Sequence, residues 1–376
     1  MEQTEIVIIG AGVWGSATAA QLARRGHDVL ALDRWTPPHS NGSHSGRTRL
    51  ARQSMHEGSG YVPLSERTFQ LWAELEAEYG VEILRREGAL IIDRPDGPLY
   101  AASRESLDLG GWDYEMWTPQ QTTAAHPALH VADDEIVIYE PGARLLLVEP
   151  ALHALHQDAR RHGVRFALGE RALSWEFDGD GVVVRTDART IRADRLLITA
   201  GVYGPDLIGL DLPLQVERQI LVTWEAGPEL TGAPLLYWGD AELGPTSGAY
   251  GCPEPGGHYK FAIHHEGTVG HPDELDKTVR DVDLKAMRDV LARRLPGLTR
   301  THLEAKTCMY TNTPDEGWVF DRHPGGDQVV YATGDSGRSF RYAPAIGECL
   351  ADLVEGEARV DLDFLRPARF QQSPAV

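Results

Sequence analysis

The chain has 376 residues, 42% of them hydrophobic and 24% charged, the composition of a soluble globular protein with room for two domains. A formal net charge of -20 argues against nucleic acid and anionic membrane surfaces as partners, and no apolar run is long enough to span a bilayer. Cys252, Cys308 and Cys349 are far apart and odd in number, which fits neither a disulfide framework nor a zinc site. Only Met1–Glu5 precede the first apolar run, leaving no room for a signal peptide, so the expected location is the cytoplasm and no metal is expected.

Ile6–Ile9 is a short apolar run of the kind that forms a buried parallel strand. Gly10, Gly12 and Gly15 follow as G-x-G-x-x-G. The first allows a tight turn, the second lets backbone approach a pyrophosphate, and the third lets a helix pack close to the strand. A helix to Arg25, with its N-terminus toward the phosphates, and a second strand, Asp28–Leu32, lead to Asp33, a carboxylate placed to accept ribose hydroxyls. A lone glycine motif is weak evidence. Strand, glycines, helix, strand and acid in order make a dinucleotide site.

Pro37–Arg52 is rich in Gly, Ser and His and reads as a loop. Its position beyond a nucleotide-fold strand turns Arg47, Arg49 and Arg52 toward a bound ligand, although basic loops are more often simply solvated. Pro63–Tyr79 is an amphipathic helix, and Gly88–Asp93 a strand. The stretch from Trp112 to Tyr139 reads as irregular. Val148–His162 is helical, with His153 and His156 placed on a solvated face rather than on a metal. Short strands follow at 164–168, 172–177 and 182–186, then a buried strand from Leu196 that ends in Gly201. Leu212–Phe261 alternates strands with Gly/Pro turns, as an antiparallel sheet does. A helix at 281–295, a strand at 329–333 and a helix from Pro344 complete the pattern, with disorder expected over 371–376.

Three blocks carry a resemblance. Lys306–Asp321 reads KTCMYTNTPDEGWVFD, Gly42–Arg52 reads GSHSGRTRLAR, and Gly334–Glu348 reads GDSGRSFRYAPAIGE. With these the chain resembles, nearly end to end, the monomeric sarcosine oxidase and N-methyltryptophan oxidase group. These are FAD-dependent amine oxidases of the D-amino-acid-oxidase-like superfamily. The resemblance implies FAD, bonded through sulfur to Cys308. It implies cofactor contacts from Gly10, Gly12, Gly15, Asp33, Ser43, Arg49, Gly334, Gly337, Ser339, Phe340 and Arg341. Lys260, Arg49 and His264 take catalytic roles, Lys260 beside the flavin where oxygen reacts; His265 falls on the opposite face if the segment is a strand. Arg52, Tyr250 and Arg341 take substrate roles. Each residue has a plainer alternative: a buried thiol for Cys308, a strand-edge lysine for Lys260.

Two departures bear on specificity. Gly337-Arg-Ser-Phe-Arg341 stands where the family carries Gly-His-Gly-Phe-Lys, and Ser45 stands where simple sarcosine oxidases carry histidine, with His44 adjacent. The expected fold is α/β with an α+β second domain. Residues 1–86, 143–212 and 319–376 would form an FAD-binding Rossmann-like domain, and 87–142 and 213–318 an antiparallel-sheet substrate domain. The expected activity is oxidation of a secondary amine, an N-alkyl or cyclic amino acid, to an imine, with O2 reduced to H2O2 by a monomer. The alternatives are a biosynthetic oxidase of a large or cyclic imino acid, a flavin-binding protein without turnover, and, disfavoured, an NAD-dependent dehydrogenase.

Overall fold

The chain opens with β1 (Glu2–Ile9), α1 (Val13–Arg24) and β2 (Val29–Asp33). It continues through β3 (Thr48–Ala51), α2 (Val62–Tyr79), β4 (Leu84–Arg86), β5 (Ala89–Asp93), α3 (Pro98–Gly110), β6 (Glu115–Trp117), α4 (Pro119–Ala125), β7 (Ile136–Glu140) and β8 (Arg144–Leu147). Next come α5 (Val148–Arg161), β9 (Arg165–Leu168), β10 (Ala172–Asp178), β11 (Gly181–Thr186), β12 (Thr190–Ile198) and α6 (Gly204–Ile208). The last third holds β13 (Gln215–Glu225), β14 (Leu235–Gly239), β15 (Gly248–Glu254), β16 (His258–Ile263), α7 (Asp281–Arg294), β17 (His302–Asn312), β18 (Val319–Arg322), β19 (Val329–Thr333) and α8 (Ala343–Glu355). This computed structural model describes all residues except 228–229, 231–232, 240–247, 266, 297, 299–300, 358–359 and 372–376. The tail expected to be disordered therefore lies, past Gln371, outside the described residues.

Strands β19, β12, β1, β2 and β9 lie side by side and parallel. The β10–β11 hairpin and β18 extend this sheet in antiparallel fashion. Ile6 and Ile8 point toward α1, α5 and α8, while Val7 and Ile9 pack on the other face with Ile208 of α6 and Val182 and Val184 of β11. Burial on both faces explains why these strands read as unbroken apolar runs. The β1–α1 turn is drawn tight. Gly10 has φ +102°, and a Cβ there would sit 2.4 Å from the carbonyl oxygen of Thr199. A Cβ on Gly15 would sit 1.8 Å from the carbonyl oxygen of Gly10.

A solvated position for His156 is not what the structure has. His156 is buried, with Nε2 2.8 Å from Ser16 Oγ and 3.3 Å from the Ala11 carbonyl oxygen. Since Ser16 Oγ donates to that same carbonyl, the ring nitrogen gives its proton to Ser16, and the imidazole props the glycine turn. The helical period explains it: Leu152 and Val148, four and eight residues earlier, lie on the same face and are buried.

The second sheet has the order β17-β13-β16-β15-β14-β5-β7-β6 and is antiparallel except for the β5–β14 pair. The segment expected to be irregular supplies β6, α4 and β7 to it. Its strands and helix are only three to seven residues long, too short for periodicity to show. A third sheet, β3-β8-β4, corrects the reading of 37–52 as loop throughout: Thr48–Ala51 pairs with β8 in four-residue register. No helix among the described residues is long and apolar enough to cross a membrane.

The turn makes a direct prediction. Gly15→Ala must displace backbone, so it should cost about 3 kcal/mol or more in denaturant unfolding. Gly26→Ala, also at positive φ (+96°) but with nothing within 4 Å of its Cβ, should cost only about 1 kcal/mol. Equal costs would show that the close approach is not tight.

Candidate active site

The carboxyl ends of β1, β2, β12 and β19 open onto one cleft, the place where open parallel sheets bind ligands. Gly10, Gly12, Asp33, Ser43, Arg49, Gly334, Gly337, Ser339 and Phe340 all line it. Gly15 does not line it; it packs beneath. Gly12 is the N-cap of α1, no side chain caps that end, and the first turn lines the cleft. An anion there would meet backbone N–H groups and the positive end of the helix dipole. Asp33 takes the Ala11 N–H at 3.0 Å and the Trp35 N–H at 2.9 Å, which pins the glycine turn and leaves spare lone pairs for hydroxyl donors. Trp14 Nε1, which lines the same cleft, is a buried donor with no partner. These features fit a dinucleotide.

A smaller cavity adjoins the cleft, and Ser43, Arg49, Gly337 and Phe340 line both. It is about 70 Å³ in volume, and Arg52, Tyr250, His264, Cys308 and Arg341 border it, so five of the expected residues from distant segments converge here. Arg341 is anchored by α2: Thr68 Oγ1 and Trp72 Nε1 donate to its carbonyl oxygen at 3.0 and 2.8 Å. Cys308 is buried on β17 beside β13, its sulfur 3.7 Å from the Ser43 carbonyl oxygen. Burial pushes its thiol up, against the pull of the Arg49 guanidinium. Tyr250 lies 4.5 Å from the His264 ring, and Tyr310 Oη is 3.1 Å from His264 Nδ1. Burial holds His264 well below its ordinary pKa, with His265 and Arg338 adding to the effect, so the imidazole is neutral. Strand β16 ends at Ile263 and His265 turns to φ +60°, so the two histidines do not alternate across a strand but stack at 5.8 Å.

The charges of this cavity are unevenly paired. Arg341 donates to Glu57 at 3.1 Å and to the Tyr342 hydroxyl at 2.8 Å. Burial alone would raise the Glu57 pKa; His56, Arg341 and Arg52 around it outweigh that and hold it well below the usual carboxylate range. Arg338 is paired with Glu316. Arg52 is different. It is buried, lies 4.5 Å over the Tyr237 ring, and meets Ser54 Oγ at 3.5 Å and His56 Nδ1 at 3.1 Å, with no carboxylate at ion-pair distance among the described residues. A guanidinium only donates, so His56 Nδ1 is unprotonated and its proton sits on Nε2, 3.4 Å from the Tyr237 hydroxyl.

Lys260 lines neither cavity. It is buried in the interior of the second sheet, behind Arg49, and its ammonium is 5.8 Å from the Tyr250 ring and donates to the Thr48 carbonyl. That excludes the strand-edge alternative, since β16 has β13 and β15 on its two sides. Arg47 does not turn inward as expected. It is half exposed, and Glu304 at 3.0 Å and Glu254 at 3.5 Å hold it outside. Of the departing pair, His44 lines the cleft, held neutral by burial at a pKa of about 3, while Ser45 gives its carbonyl to Arg49 at 2.6 Å.

His56, Glu57, Tyr237, Tyr310, Arg338 and Asp335 are cavity residues that sequence reasoning missed. Tyr310, Arg338 and Asp335 lie inside quoted motifs and could have been found there; His56 and Glu57 follow Arg52 by four and five residues with no motif of their own. Among the described residues no group of His, Cys, Asp and Glu could hold a metal ion.

Comparison with known proteins agrees with this geometry. The family model described as FAD dependent oxidoreductase (DAO) matches residues 5–353. The monomeric sarcosine oxidase of Streptomyces avermitilis is 35% identical over 99% of both chains. The N-methyl-L-tryptophan oxidase of Citrobacter koseri is 31% identical over 98% of this chain and 99% of that one. Among solved structures, NikD, an unusual amino acid oxidase essential for nikkomycin biosynthesis, superposes with a TM-score of 0.86 at 24% identity, covering 98% of each chain. Glycine oxidase from Geobacillus kaustophilus gives 0.82 at 21% identity over 98% of this chain and 99% of that one, so these two share the fold. The glycine turn, the cleft at the strand ends and the end-to-end match lead to one conclusion: the chain belongs to the family of FAD-dependent oxidoreductases.

Proposed function

We propose that this protein oxidises a small secondary amine bearing an α-carboxylate, an N-alkyl or cyclic amino acid, to its imine, with O2 reduced to H2O2. The observation that carries this reading is the junction of the two cavities, where a dinucleotide cleft meets a small chamber containing an arginine with no carboxylate at ion-pair distance among the described residues. The amine gives up two electrons, its α-hydrogen and its N–H proton, and O2 takes up two electrons and two protons. FAD, when bound, supplies the transfer of electrons between the two.

The residues of this chain supply position and charge. Arg52 takes the substrate carboxylate, since a buried cation lacking an anion is stabilised by one. Arg341 is already tied to Glu57 and shapes the chamber while adding to its positive field. A chamber of about 70 Å³ accepts roughly five to seven water-sized groups, which favours a small amino acid over an indole side chain. The neutral His264 and the Tyr250 ring form the wall against which the amine is held. Lys260 provides the positive charge that stabilises oxygen as it becomes negative. Cys308, on the wall of the small chamber, would hold the flavin through its sulfur: Arg49 is the cation beside the thiolate, and the carbon–sulfur bond would replace a carbon–hydrogen bond, with the two electrons released passing to O2. The protein acts as a monomer in the cytoplasm. Ser45 and the paired arginines Arg338 and Arg341 favour, as the second reading, a cyclic imino acid over sarcosine itself.

Arg52→Leu should raise KM for an N-methyl amino acid by on the order of tenfold or more, while the decarboxylated amine is handled alike by wild type and variant. Equal turnover of acid and decarboxylated amine by the wild type would contradict the carboxylate contact. A panel from sarcosine through proline and pipecolate to N-methyltryptophan decides between the small and large substrate classes.

Acid precipitation of the wild type should leave the yellow colour in the pellet. Precipitated Cys308→Ala should release it to the supernatant, although the folded variant still binds flavin through the glycine turn. Colour lost from the wild-type pellet would exclude attachment.

A further inference from the structure

Beyond the Tyr250 wall of the small chamber lies a buried polar chain of which the proposed reaction uses only Lys260. Lys260 on β16, Cys252 and Glu254 on β15, and Thr48 on β3 form it. Thr48 is the joint. Its carbonyl oxygen accepts from Lys260 Nζ, and its hydroxyl lies 3.0 Å from Glu254 Oε1 and 3.2 Å from Cys252 Sγ. Glu254 Oε2 accepts from Thr223 Oγ1 at 2.9 Å and meets Arg47 Nη1 at 3.5 Å. Both oxygens of Glu254 are thus met by donors, the pattern of an ionised carboxylate. The single Thr48 hydroxyl proton goes to Glu254, so the Cys252 thiol gives its own to Thr48 Oγ1, and the sulfur lone pairs are left to accept from Lys260. Donors run one way, from the ammonium to the carboxylate.

A magnitude decides what this chain does. Fully buried lysines without a partner titrate at about 5–6 and are neutral at pH 7. Lys260 is 2% exposed. Burial pushes it down and Arg49 adds to that, while Cys252 and Glu254 oppose both. The remaining neighbours do not help: Arg47, just before β3, and Arg49 on β3 are cations, Cys308 on β17 and Tyr250 on β15 are held neutral by burial, and Glu304 is occupied by Arg47 and Lys306 at the surface. Residue usage agrees. Only four of the 36 basic residues are lysines, and Lys260 is the one buried in the sheet.

We propose that Glu254 is a positioning residue whose buried charge, reaching Lys260 through Thr48 and Cys252, keeps that lysine an ammonium at neutral pH. The value of this to the enzyme rests on the reading of Lys260 as the group that meets oxygen.

Four lysines make a direct measurement possible. Holoenzyme labelled with 13C in its lysine side chains gives four signals, and Lys260→Met identifies one by removing it. In the wild type that signal should report an ammonium at pH 7. In Glu254→Gln its titration midpoint should fall by roughly one pH unit or more, with Glu254→Asp closer to wild type and the exposed Lys277 and Lys285 unmoved. A wild-type Lys260 that is neutral at pH 7 overturns the proposal without needing any variant to fold, and so does a midpoint that Glu254→Gln leaves in place. Reoxidation of the reduced enzyme by air, followed against pH, separates this from the reading beneath it. If the midpoint moves and the reoxidation profile moves with it, both stand. If the midpoint moves alone, Glu254 is upheld as the counter-charge and the oxygen role of Lys260 fails.

Discussion

The constraint on which the rest of the molecule depends is the contact of bare backbone at the β1–α1 turn. Gly10 lies against the Thr199 carbonyl, and Gly15 against Gly10, at separations that leave no space for a Cβ. This draws β1, β12 and the start of α1 into one knot, on which His156, Ser16 and Asp33 all converge by hydrogen bonds. Because the knot sits at the carboxyl ends of the strands, the cleft, Arg49 of β3 and the motif around Gly337 are all placed relative to it. A loosened turn would shift the cleft against the second sheet, and the proposed chemistry needs the two within contact distance.

The chamber at the junction is an electrostatic design of unequal pairing. Arg341 and Arg338 each have a carboxylate, and Arg52 has none at ion-pair distance among the described residues. Pairing Arg341 with Glu57 leaves its shape in the wall while its charge is largely matched. The cation without an anion at ion-pair distance is the one for which we propose the substrate carboxylate as partner. His56 stays neutral so that it can accept from Arg52, and its other nitrogen fixes Tyr237. A protonated His56 would turn a donor toward a guanidinium. Burial holds His56 well below its ordinary pKa, so this corner keeps its arrangement at pH values where a free imidazole would already be charged.

Much of this was legible in the sequence, for physical reasons. Gly10, Gly12 and Asp33 are spaced by local geometry, and the strands buried on both faces leave long apolar runs. That Arg52, Cys308 and Arg341 belong to one site was legible through motifs, because they come from segments far apart in the chain and no period links them; Tyr250, outside those motifs, rested on the resemblance. What was not legible has causes too. His156 was placed in solvent because a histidine on a helix says little, although the period of Val148 and Leu152 held the answer. Arg47 was turned inward by the position of its loop beyond a nucleotide-fold strand, whereas Glu254 and Glu304, both distant in sequence, hold it outside. Glu57 and Glu254 could not be picked out, since a buried carboxylate and a surface one look the same until their donors are known.

The central claim is that an amine with a free carboxylate reduces this protein's flavin and that oxygen then restores it. The measurement that tests it most directly is anaerobic titration of the holoenzyme with N-methyl and cyclic amino acids, with the flavin absorbance followed before and after air is admitted. The account predicts bleaching by a small member of this class, and recovery in air with one H2O2 formed per amine consumed. A flavin that no such amine bleaches, or one that stays bleached in air, would contradict it.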